Sequence, residues 1–352
     1  MKAILLAAGY GSRLRPLTDI LPKCLLPINA RPLLEYWFSM LSSAGVPSIL
    51  MNLHYLPHIM EEWVQLSEYA PNIKMAYEES LLGTGGTLLQ HRDFVGDEPV
   101  MLVHADNLCS TDIRAYIDAH KNRPPGTEIT MMTFDTPTPE TCGIVEIDHS
   151  GIVRAFYEKV TDPPGNRANA AVYIVEPSVM DHLASLDKSF IDFSTEVLPH
   201  FLGRIYTFHN ADYHRDIGSP ESYLAAQIEY PQSSAAYDRQ NGWKAWCEKN
   251  AEVLSGDFVK AVASTYHAGI VDADEWLAGR MDESFINSDG TIIIDCREMK
   301  SQVEELGNSI DAGRLKRANI ILLFREVPRN FSSRSFYEAT QLKSIALYAA
   351  GS

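Results

Sequence analysis

The chain has 352 residues, and its 46 aspartates and glutamates outnumber its 30 lysines and arginines, which gives a formal net charge of −16. A negative charge of this size argues against a protein that binds nucleic acid or membranes nonspecifically. The five cysteines are scattered without a Cys-x-x-Cys pair, so the sequence indicates neither a zinc site nor a disulfide framework and favours a reduced, cytoplasmic protein. With 45% apolar residues, a chain of this length is expected to form two globular domains.

The first 230 positions alternate between strand-like and helix-like patterns of apolar residues. The patterns predict strands at 3–8, 49–53, 73–77 and 100–104 and helices at 33–44 and 57–66. This alternation is typical of an α/β fold in which helices flank a Rossmann-like, mixed but mostly parallel sheet. Between residues 128 and 174, strand patterns crowd together with few helices, which predicts an antiparallel or mixed part of the sheet.

The composition changes near residue 230, where the segment Pro-Gln-Ser-Ser at 231–234 has the character of a linker. We therefore predict one domain over residues 1–230 and a smaller α/β or mostly helical domain over 235–352. The second part carries a tryptophan-rich helical pattern around residue 245 and further patterns for a strand at 291–295, a helix at 299–306 and a strand at 318–325. We find no internal repeat, and in particular no hexapeptide β-helix pattern.

The most specific feature is a glycine-rich turn after the first predicted strand, where Gly9 and Gly11 lead into Arg13 and Lys23. Glycines permit positive φ and a close approach of the backbone to phosphate oxygens, while arginine and lysine neutralise phosphate charge. A Rossmann fingerprint needs a third glycine where Leu14 stands, and no Gly-Lys-[Ser/Thr] of a Walker A motif follows. The segment therefore predicts a loop that holds a nucleoside triphosphate without either of these motifs.

The order Gly-x-Gly-Ser-Arg-Leu-x-Pro-Leu-Thr, followed by Pro-Lys, resembles the signature of the sugar-1-phosphate nucleotidyltransferases, or nucleotide-sugar pyrophosphorylases. The resemblance covers residues 1–230 and implies the nucleotide-diphospho-sugar transferase fold. It implies that Arg13 contacts the triphosphate and that Lys23 stabilises charge at the α-phosphate, so that both are catalytic residues. It also implies nucleotide contacts from the strand end and the turn, namely Leu6, Ala7, Ala8, Gly9, Gly11 and Ser12.

A second segment of small residues, Leu-Gly-Thr-Gly-Gly, follows Glu78. The family carries a similar segment against the nucleobase, which implies base contacts from Gly83, Thr84 and Gly85. The carboxylate of Glu78 can accept hydrogen bonds from both N1–H and N2–H₂ of guanine, whereas uracil and thymine present one donor on that edge. This favours GTP, although uridylyltransferase relatives also carry a glutamate nearby.

Two aspartates distant in sequence are candidate metal ligands. Asp106 follows the predicted strand 100–104, at the sheet edge where ligands of α/β proteins bind, and Asp216 lies in Tyr-His-Arg-Asp-Ile-Gly-Ser-Pro. The family has Gly-Asp at the first place and Trp-x-Asp-Ile-Gly-Thr-Pro at the second, and these aspartates hold Mg²⁺ there, an ion that prefers oxygen ligands. The resemblance thus implies a Mg²⁺ site on Asp106 and Asp216. Ala105 and His214 depart from the family pattern without removing a ligand.

A further set of residues is expected to bind the sugar phosphate. Relatives carry Glu-Lys, a glycine in the preceding hairpin and an Asn-x-Gly or similar strand, which match Glu158, Lys159, Gly143 and Asn169 here. The resemblance implies that the glutamate and the glycine face sugar hydroxyls, that Lys159 binds the phosphate, and that Asp106 also lies at the sugar phosphate. An alanine, either Ala170 or Ala171, stands where the family often has glycine, and its methyl group is expected to narrow the sugar pocket.

Together the motifs predict an enzyme that transfers a nucleotidyl group from an NTP to a hexose-1-phosphate and releases pyrophosphate. Within the family, the chain is most similar to the mannose-1-phosphate guanylyltransferases, which favours GTP and mannose-1-phosphate. The alternatives are a manno-heptose-1-phosphate guanylyltransferase and a uridylyl-, thymidylyl- or cytidylyltransferase. A noncatalytic regulatory subunit that binds nucleotide sugar is disfavoured, because the catalytic and metal-binding positions are all retained. We expect a homo-oligomer, a dimer or higher, that binds NTP and sugar-1-phosphate but neither nucleic acid nor a membrane.

Overall fold

The computed structural model describes residues 1–231, 242–277, 291–297, 319–327 and 343–349. The chain divides into two compact units. The first unit comprises Met1–Gly9, Tyr36–Pro57 and Tyr69–His214, and the second comprises Tyr10–Glu35, His58–Glu68 and Arg215–Ser352. The predicted helix at 299–306 and the predicted linker residues 232–234 lie outside the described residues. None of the helices in the described ranges is long and apolar enough to cross a membrane.

Seventeen strands and twelve α-helices occur in the described part of the chain. The strands are β1 (Lys2–Leu6), β2 (Pro27–Ile28), β3 (Arg31–Pro32), β4 (Ile49–Leu53), β5 (Ile73–Tyr77), β6 (Val100–His104), β7 (Asn107–Ser110), β8 (Ile129–Asp135), β9 (Gly143–Ile147), β10 (Val153–Glu158), β11 (Arg167–Val175), β12 (Ile205–His209), β13 (Tyr213–Asp216), β14 (Gly269–Asp272), β15 (Thr291–Asp295), β16 (Asn319–Val327) and β17 (Lys343–Ala349). The helices are α1 (Leu17–Ile20), α2 (Leu33–Ser43), α3 (Pro57–Leu66), α4 (Gly83–Gln90), α5 (Arg92–Val95), α6 (Ile113–Lys121), α7 (Ser178–Ser185), α8 (Pro220–Glu229), α9 (Gly242–Lys249), α10 (Ala251–Val253), α11 (Val259–Thr265) and α12 (Ala273–Leu277).

A nine-stranded mixed sheet forms the centre of the first unit, in the order β10-β9-β11-β6-β1-β4-β5, with β8 paired to β11 and β12. The strands β6, β1, β4 and β5 are parallel, so their carboxyl ends lie at one edge, where Leu6 stands opposite Asn52 and His104. Strands β8, β9, β10 and β11 pair antiparallel, as the crowding of strand patterns predicted. The predicted fold class is therefore confirmed.

Apolar runs without alternation explain why β1, β4 and β6 lie in the interior of this sheet. Ala3, Ile4 and Leu5 are fully buried, as expected for a parallel strand that is covered on both faces. Helices α4 and α7 contribute Leu88 and Leu183 to the core against the sheet. Strand β1 ends two residues earlier than the sequence predicted, so that Ala7 and Ala8 belong to the loop that follows it.

The second unit contains a four-stranded sheet in the order β14-β15-β16-β17, in which neighbouring strands are parallel. Ile292, Ile293 and Ile294 are fully buried in β15. The described C-terminal strands and helices thus form an α/β arrangement, one of the two forms that the sequence predicted for this part of the chain. The predicted domain bounds of 1–230 and 235–352 stay a prediction.

Helices α3 and α9 pack together in the second unit through tryptophans. Trp243 stacks on Trp246 with a distance of 5.1 Å between ring centroids, and it meets Trp63 edge-on at 6.5 Å. The indole N–H of Trp246 donates a hydrogen bond of 2.9 Å to Glu62. The tryptophan-rich helical pattern near residue 245 therefore forms the helix that was predicted, and it contributes to the core of this unit.

Candidate active site

The loop after β1 starts at the carboxyl edge of the parallel strands. The backbone N–H of Ala7 donates a hydrogen bond of 2.8 Å to Oδ1 of Asn52 in the neighbouring strand β4. Gly11 adopts a φ of 61°, and a Cβ atom there would lie 2.8 Å from Cγ2 of Thr18 and 3.0 Å from Cβ of Lys23. A Cβ atom on Gly9 would meet no atom within 4 Å. Gly11 is therefore required by the protein itself, whereas the space beside Gly9 is open to a ligand.

Lys23, Arg13 and Asp216 form a charged cluster in the second unit. The ammonium of Lys23, whose side chain is only 8% exposed, lies 2.7 Å from Oδ1 of Asp216. Nη2 of Arg13 lies 3.3 Å from Oδ2 of the same carboxylate, which is 49% exposed. A Cβ atom on Gly218 would lie 2.4 Å from this guanidinium nitrogen, so the glycine leaves room for the arginine. The structure thus brings the two predicted catalytic cations onto one predicted metal ligand.

The small-residue segment at 82–86 packs against a backbone segment that sequence reasoning missed. The backbone N–H groups of Gly85 and Gly86 donate to the carbonyl of Ile191, at 2.9 and 3.2 Å. A Cβ atom on Gly83, which has a φ of 75°, would lie 2.5 Å from that carbonyl oxygen. Oγ1 of Thr84 accepts a hydrogen bond of 2.7 Å from the N–H of Phe193. The glycines are therefore needed for packing within the protein, and their contact with a base stays a prediction.

Glu78 follows β5 and is buried, with 5% of its surface exposed. Its Oε1 accepts hydrogen bonds of 2.6 Å from Oγ1 of Thr87 and 3.0 Å from Nδ2 of Asn52. Its Oε2 accepts from the N–H of Leu82 at 3.4 Å. Asn52 and Thr87 were not among the predicted site residues. An asparagine inside the otherwise apolar run of β4 was the signal that could have revealed the first of them.

Asp106 stands between β6 and β7 and is partly buried. The preceding residue, Ala105, is fully buried, and its N–H donates to the carbonyl of Leu6 at 3.1 Å. The indole N–H of Trp37 donates to the carbonyl of Asn107 at 2.8 Å and fixes the other side of this turn. Asp106 therefore lies at the carboxyl end of β6, as its position in the sequence predicted, between two residues whose backbones are hydrogen-bonded.

Gly143 and Glu158 face each other across the β9–β10 hairpin. A Cβ atom on Gly143 would lie 2.7 Å from Oε2 of Glu158, so the absence of a side chain at Gly143 leaves room for this carboxylate. The ammonium of Lys159, an exposed side chain, lies 3.4 Å from Oε1 of Glu158. Three of the residues predicted for the sugar phosphate are thus brought together at one end of the hairpin.

Asn169 stabilises an irregularity in β11. Its Oδ1 accepts a hydrogen bond of 2.9 Å from the N–H of Ala171, and its Nδ2 donates to the hydroxyl of Tyr173 at 2.6 Å. The pairing with β8 shifts between Asn169 and Tyr173, and Ala171 adopts a φ of 54°. Left-handed backbone favours glycine, so Ala171 rather than Ala170 occupies the position where glycine is expected. Ala170 is fully buried, and its carbonyl lies 2.9 Å from Nε2 of His214.

A glycine-containing loop at the carboxyl edge of parallel strands is typical of nucleotide-binding α/β proteins. The model of the nucleotidyl transferase family matches residues 2–233. The chain therefore belongs to this family, and the predicted membership is confirmed.

Named relatives carry the same region. The chain is 31% identical over 236 residues to a mannose-1-phosphate guanyltransferase of Debaryomyces hansenii, which covers 65% of this chain and 64% of the relative. It is 31% identical over 232 residues to a mannose-1-phosphate guanylyltransferase of Mycobacterium tuberculosis, with 64% of each chain covered. The match therefore spans about two thirds of this chain and slightly less than two thirds of these relatives.

A solved structure from Bacillus anthracis, described as a glucose-1-phosphate thymidylyltransferase, has a TM-score of 0.58 at 22% sequence identity. The likeness covers 64% of this chain and 94% of that chain. At this identity the likeness concerns the fold, and it agrees with the α/β architecture described above.

Proposed function

We propose that this chain transfers a guanylyl group from GTP to mannose-1-phosphate, giving a nucleotide sugar and pyrophosphate. The observation that carries the proposal is the charged cluster, in which a nearly buried lysine and an arginine converge on Asp216. Two cations beside one carboxylate suit a reaction that moves negative charge between phosphate groups. The names of the curated relatives support the choice of mannose and guanosine.

The buried carboxylate of Glu78 supports a guanine nucleotide. Guanine presents two adjacent N–H donors on one edge, and a carboxylate is an acceptor for both. Uridylyl-, thymidylyl- and cytidylyltransfer, and a manno-heptose phosphate as acceptor, remain the alternatives. We also propose Gly83, Thr84 and Gly85 as the residues nearest the base, with the turn from Leu6 to Ser12 along the triphosphate.

In the proposed reaction, an oxygen of the sugar phosphate attacks the α-phosphorus of GTP, and the bond from that phosphorus to pyrophosphate breaks. The second pKa of a phosphate monoester is about 6, so the acceptor is mostly ionised at neutral pH and needs no general base. Lys159 holds this phosphate, while Gly143, Glu158 and Asn169 border the sugar. Lys23 stabilises charge at the α-phosphate, and Arg13 stabilises the leaving pyrophosphate.

Asp216 fits the donor chemistry of a Mg²⁺ site, because it is a half-exposed carboxylate that already attracts two cations. Within the described ranges, no group of three or more His, Cys, Asp or Glu side chains could hold a metal ion. Mg²⁺ commonly takes only one or two carboxylates and completes its coordination with phosphates and water. We propose Asp106 and Asp216 as its ligands. When bound, Mg²⁺ neutralises phosphate charge.

A pyrophosphate-release assay tests the proposal. Each of five NTPs (GTP, UTP, dTTP, CTP and ATP) is combined with mannose-, glucose- or N-acetylglucosamine-1-phosphate. We expect release with GTP and mannose-1-phosphate, and a loss of about 100-fold or more in Asp216→Asn, because a metal ligand and the partner of both cations disappears. Asp118→Asn is the matched control, since this exposed aspartate also pairs with a lysine, Lys121, at 2.9 Å. Equal activity of Asp216→Asn and the control would contradict the assignment, provided that both variants are folded.

We further propose a cytoplasmic homo-oligomer. None of the five cysteines, all of which lie in the described residues, forms a disulfide bond, which supports a reducing compartment. Sedimentation of the purified chain measures the mass of the assembly, and a monomer at micromolar concentration would contradict the proposed oligomer.

A further inference from the structure

Glu78 is a buried carboxylate whose oxygens accept three hydrogen bonds. Among the residues that the structure describes, no lysine, arginine or histidine forms an ion pair with it. Burial of an ionised carboxylate is unfavourable unless donors satisfy its oxygens. The side chains of Thr87 and Asn52 supply two such donors, and both side chains are almost completely buried.

The two oxygens of this carboxylate differ in how well they are satisfied. Oε1 accepts two hydrogen bonds, at 2.6 Å from Thr87 and 3.0 Å from Asn52. Oε2 accepts only one long bond, at 3.4 Å from the N–H of Leu82. An ionised carboxylate has about four acceptor positions, so Oε2 retains the capacity for a further donor. Leu82, whose N–H donates that long bond, is the first residue of the small-residue segment at 82–86.

We propose that Thr87 and Asn52 are positioning residues that determine base specificity, a role that rests on the proposed binding of an NTP. They hold Oε1 of Glu78 within the protein and thereby present Oε2 to the N–H donors of the base. Rotation about the terminal torsion of a glutamate is soft, so the carboxylate has a fixed orientation only while these donors are present.

Asn52 forms a further hydrogen bond, to the backbone of Ala7, that Thr87 does not form. Its Oδ1 accepts the hydrogen bond from Ala7, where the loop leaves β1. The side-chain amide of Asn52 therefore contacts both the Glu78 carboxylate, which we propose binds the base, and the start of the loop that we place along the triphosphate. Loss of Thr87 should affect the base alone, whereas loss of Asn52 should affect the base and the phosphates.

Calorimetric titration of the full chain with GTP and ITP tests the role of Thr87, because ITP lacks the 2-amino group and thus one donor. We expect the wild type to bind GTP about tenfold or more tighter than ITP, since one hydrogen bond to a charged group is lost. Thr87→Val keeps the shape of the side chain without the hydroxyl, and it should reduce this preference about tenfold. Thr87→Ser keeps the hydroxyl and should retain the wild-type preference.

Tripolyphosphate serves as a probe without a base. Its affinity should be unchanged in Thr87→Val and lowered in Asn52→Leu. A purely structural role of these residues would weaken GTP, ITP and tripolyphosphate alike. If Thr87→Val does not fold, Thr87→Ala is the replacement, and its expected effect on the GTP-to-ITP ratio is the same.

Two results would overturn the inference. One is a folded Thr87→Val or Thr87→Ala variant that retains the wild-type ratio of GTP to ITP affinity. The other is a wild type that binds GTP and ITP with equal affinity. In that case the proposed transferase activity would still stand if pyrophosphate were released from another NTP. Conversely, a selective binder without turnover would refute the proposed activity and leave the role of Thr87 and Asn52 intact.

Discussion

The two glycines of the loop after β1 should respond in opposite ways to the same substitution. Gly11→Ala places a methyl group 2.8 Å from Cγ2 of Thr18, a fully buried residue, and 3.0 Å from Cβ of Lys23. It also forces an L-residue into a φ of 61°, which costs about 1–2 kcal/mol. Overpacking of a tight site adds about 1–3 kcal/mol. We therefore expect Gly11→Ala to lose about 2–5 kcal/mol of stability.

Gly9→Ala is the matched control, because its new methyl group meets no atom within 4 Å and Gly9 does not have a positive φ. A tolerated Gly→Ala change stabilises a protein by about 0.4–1 kcal/mol, since the unfolded chain loses conformational freedom. Stability should therefore be unchanged or slightly raised. GTP binding should nevertheless weaken, because we expect the open space beside Gly9 to receive the triphosphate.

Chemical denaturation followed by tryptophan fluorescence is a suitable assay for this pair. Trp63, Trp243, Trp246 and Trp276 belong to the second unit, as does Gly11, whereas Trp37 belongs to the first. The fluorescence signal therefore reports mainly the unit in which Gly11→Ala acts. Equal denaturation midpoints for Gly11→Ala and the wild type would refute the packing argument, and a destabilised Gly9→Ala would refute the assignment of free space.

Two further predictions concern the sugar phosphate and the response to pH. Gly143→Ala should raise the KM for the sugar phosphate several-fold and leave the KM for the NTP unchanged, because the new Cβ would lie 2.7 Å from Oε2 of Glu158. Steady-state kinetics that show equal changes in both KM values would contradict this prediction. Burial and, secondarily, Arg123 lower the pKa of His120 from 6.5 to about 4, so the folded state binds fewer protons than the unfolded state below pH 6.5. Stability should therefore fall, by up to about 1.4 kcal/mol per pH unit from this group, as the pH drops from 6.5 towards 4. An NMR titration of the His120 ring with a midpoint near 6.5 would contradict this prediction.

Much of the first unit could be predicted from the sequence because its elements depend on local patterns. The strand patterns at 49–53, 73–77 and 100–104 form strands with the predicted bounds, and helix α3, most of which belongs to the second unit, also has its predicted bounds. Strand β1 was predicted too long, since Ala7 and Ala8 continue the apolar run but their backbone leaves the sheet. Apolarity predicts burial, and both residues are indeed buried, but it does not specify where sheet hydrogen bonding ends.

By itself, the sequence determined the family, the fold class and the residues that carry charge or lack side chains, because these features are encoded in short segments with fixed spacing. Only the tertiary structure decided which of them meet. It placed Lys23 and Arg13 on Asp216 and placed Thr87 and Asn52 on Glu78, and it supplied the backbone of Ile191 that makes Gly83 necessary. These partners are far apart in the chain, and no local pattern records their distances. Their contacts follow from how the strands, helices and loops of each unit pack, which places particular side chains and backbone groups side by side.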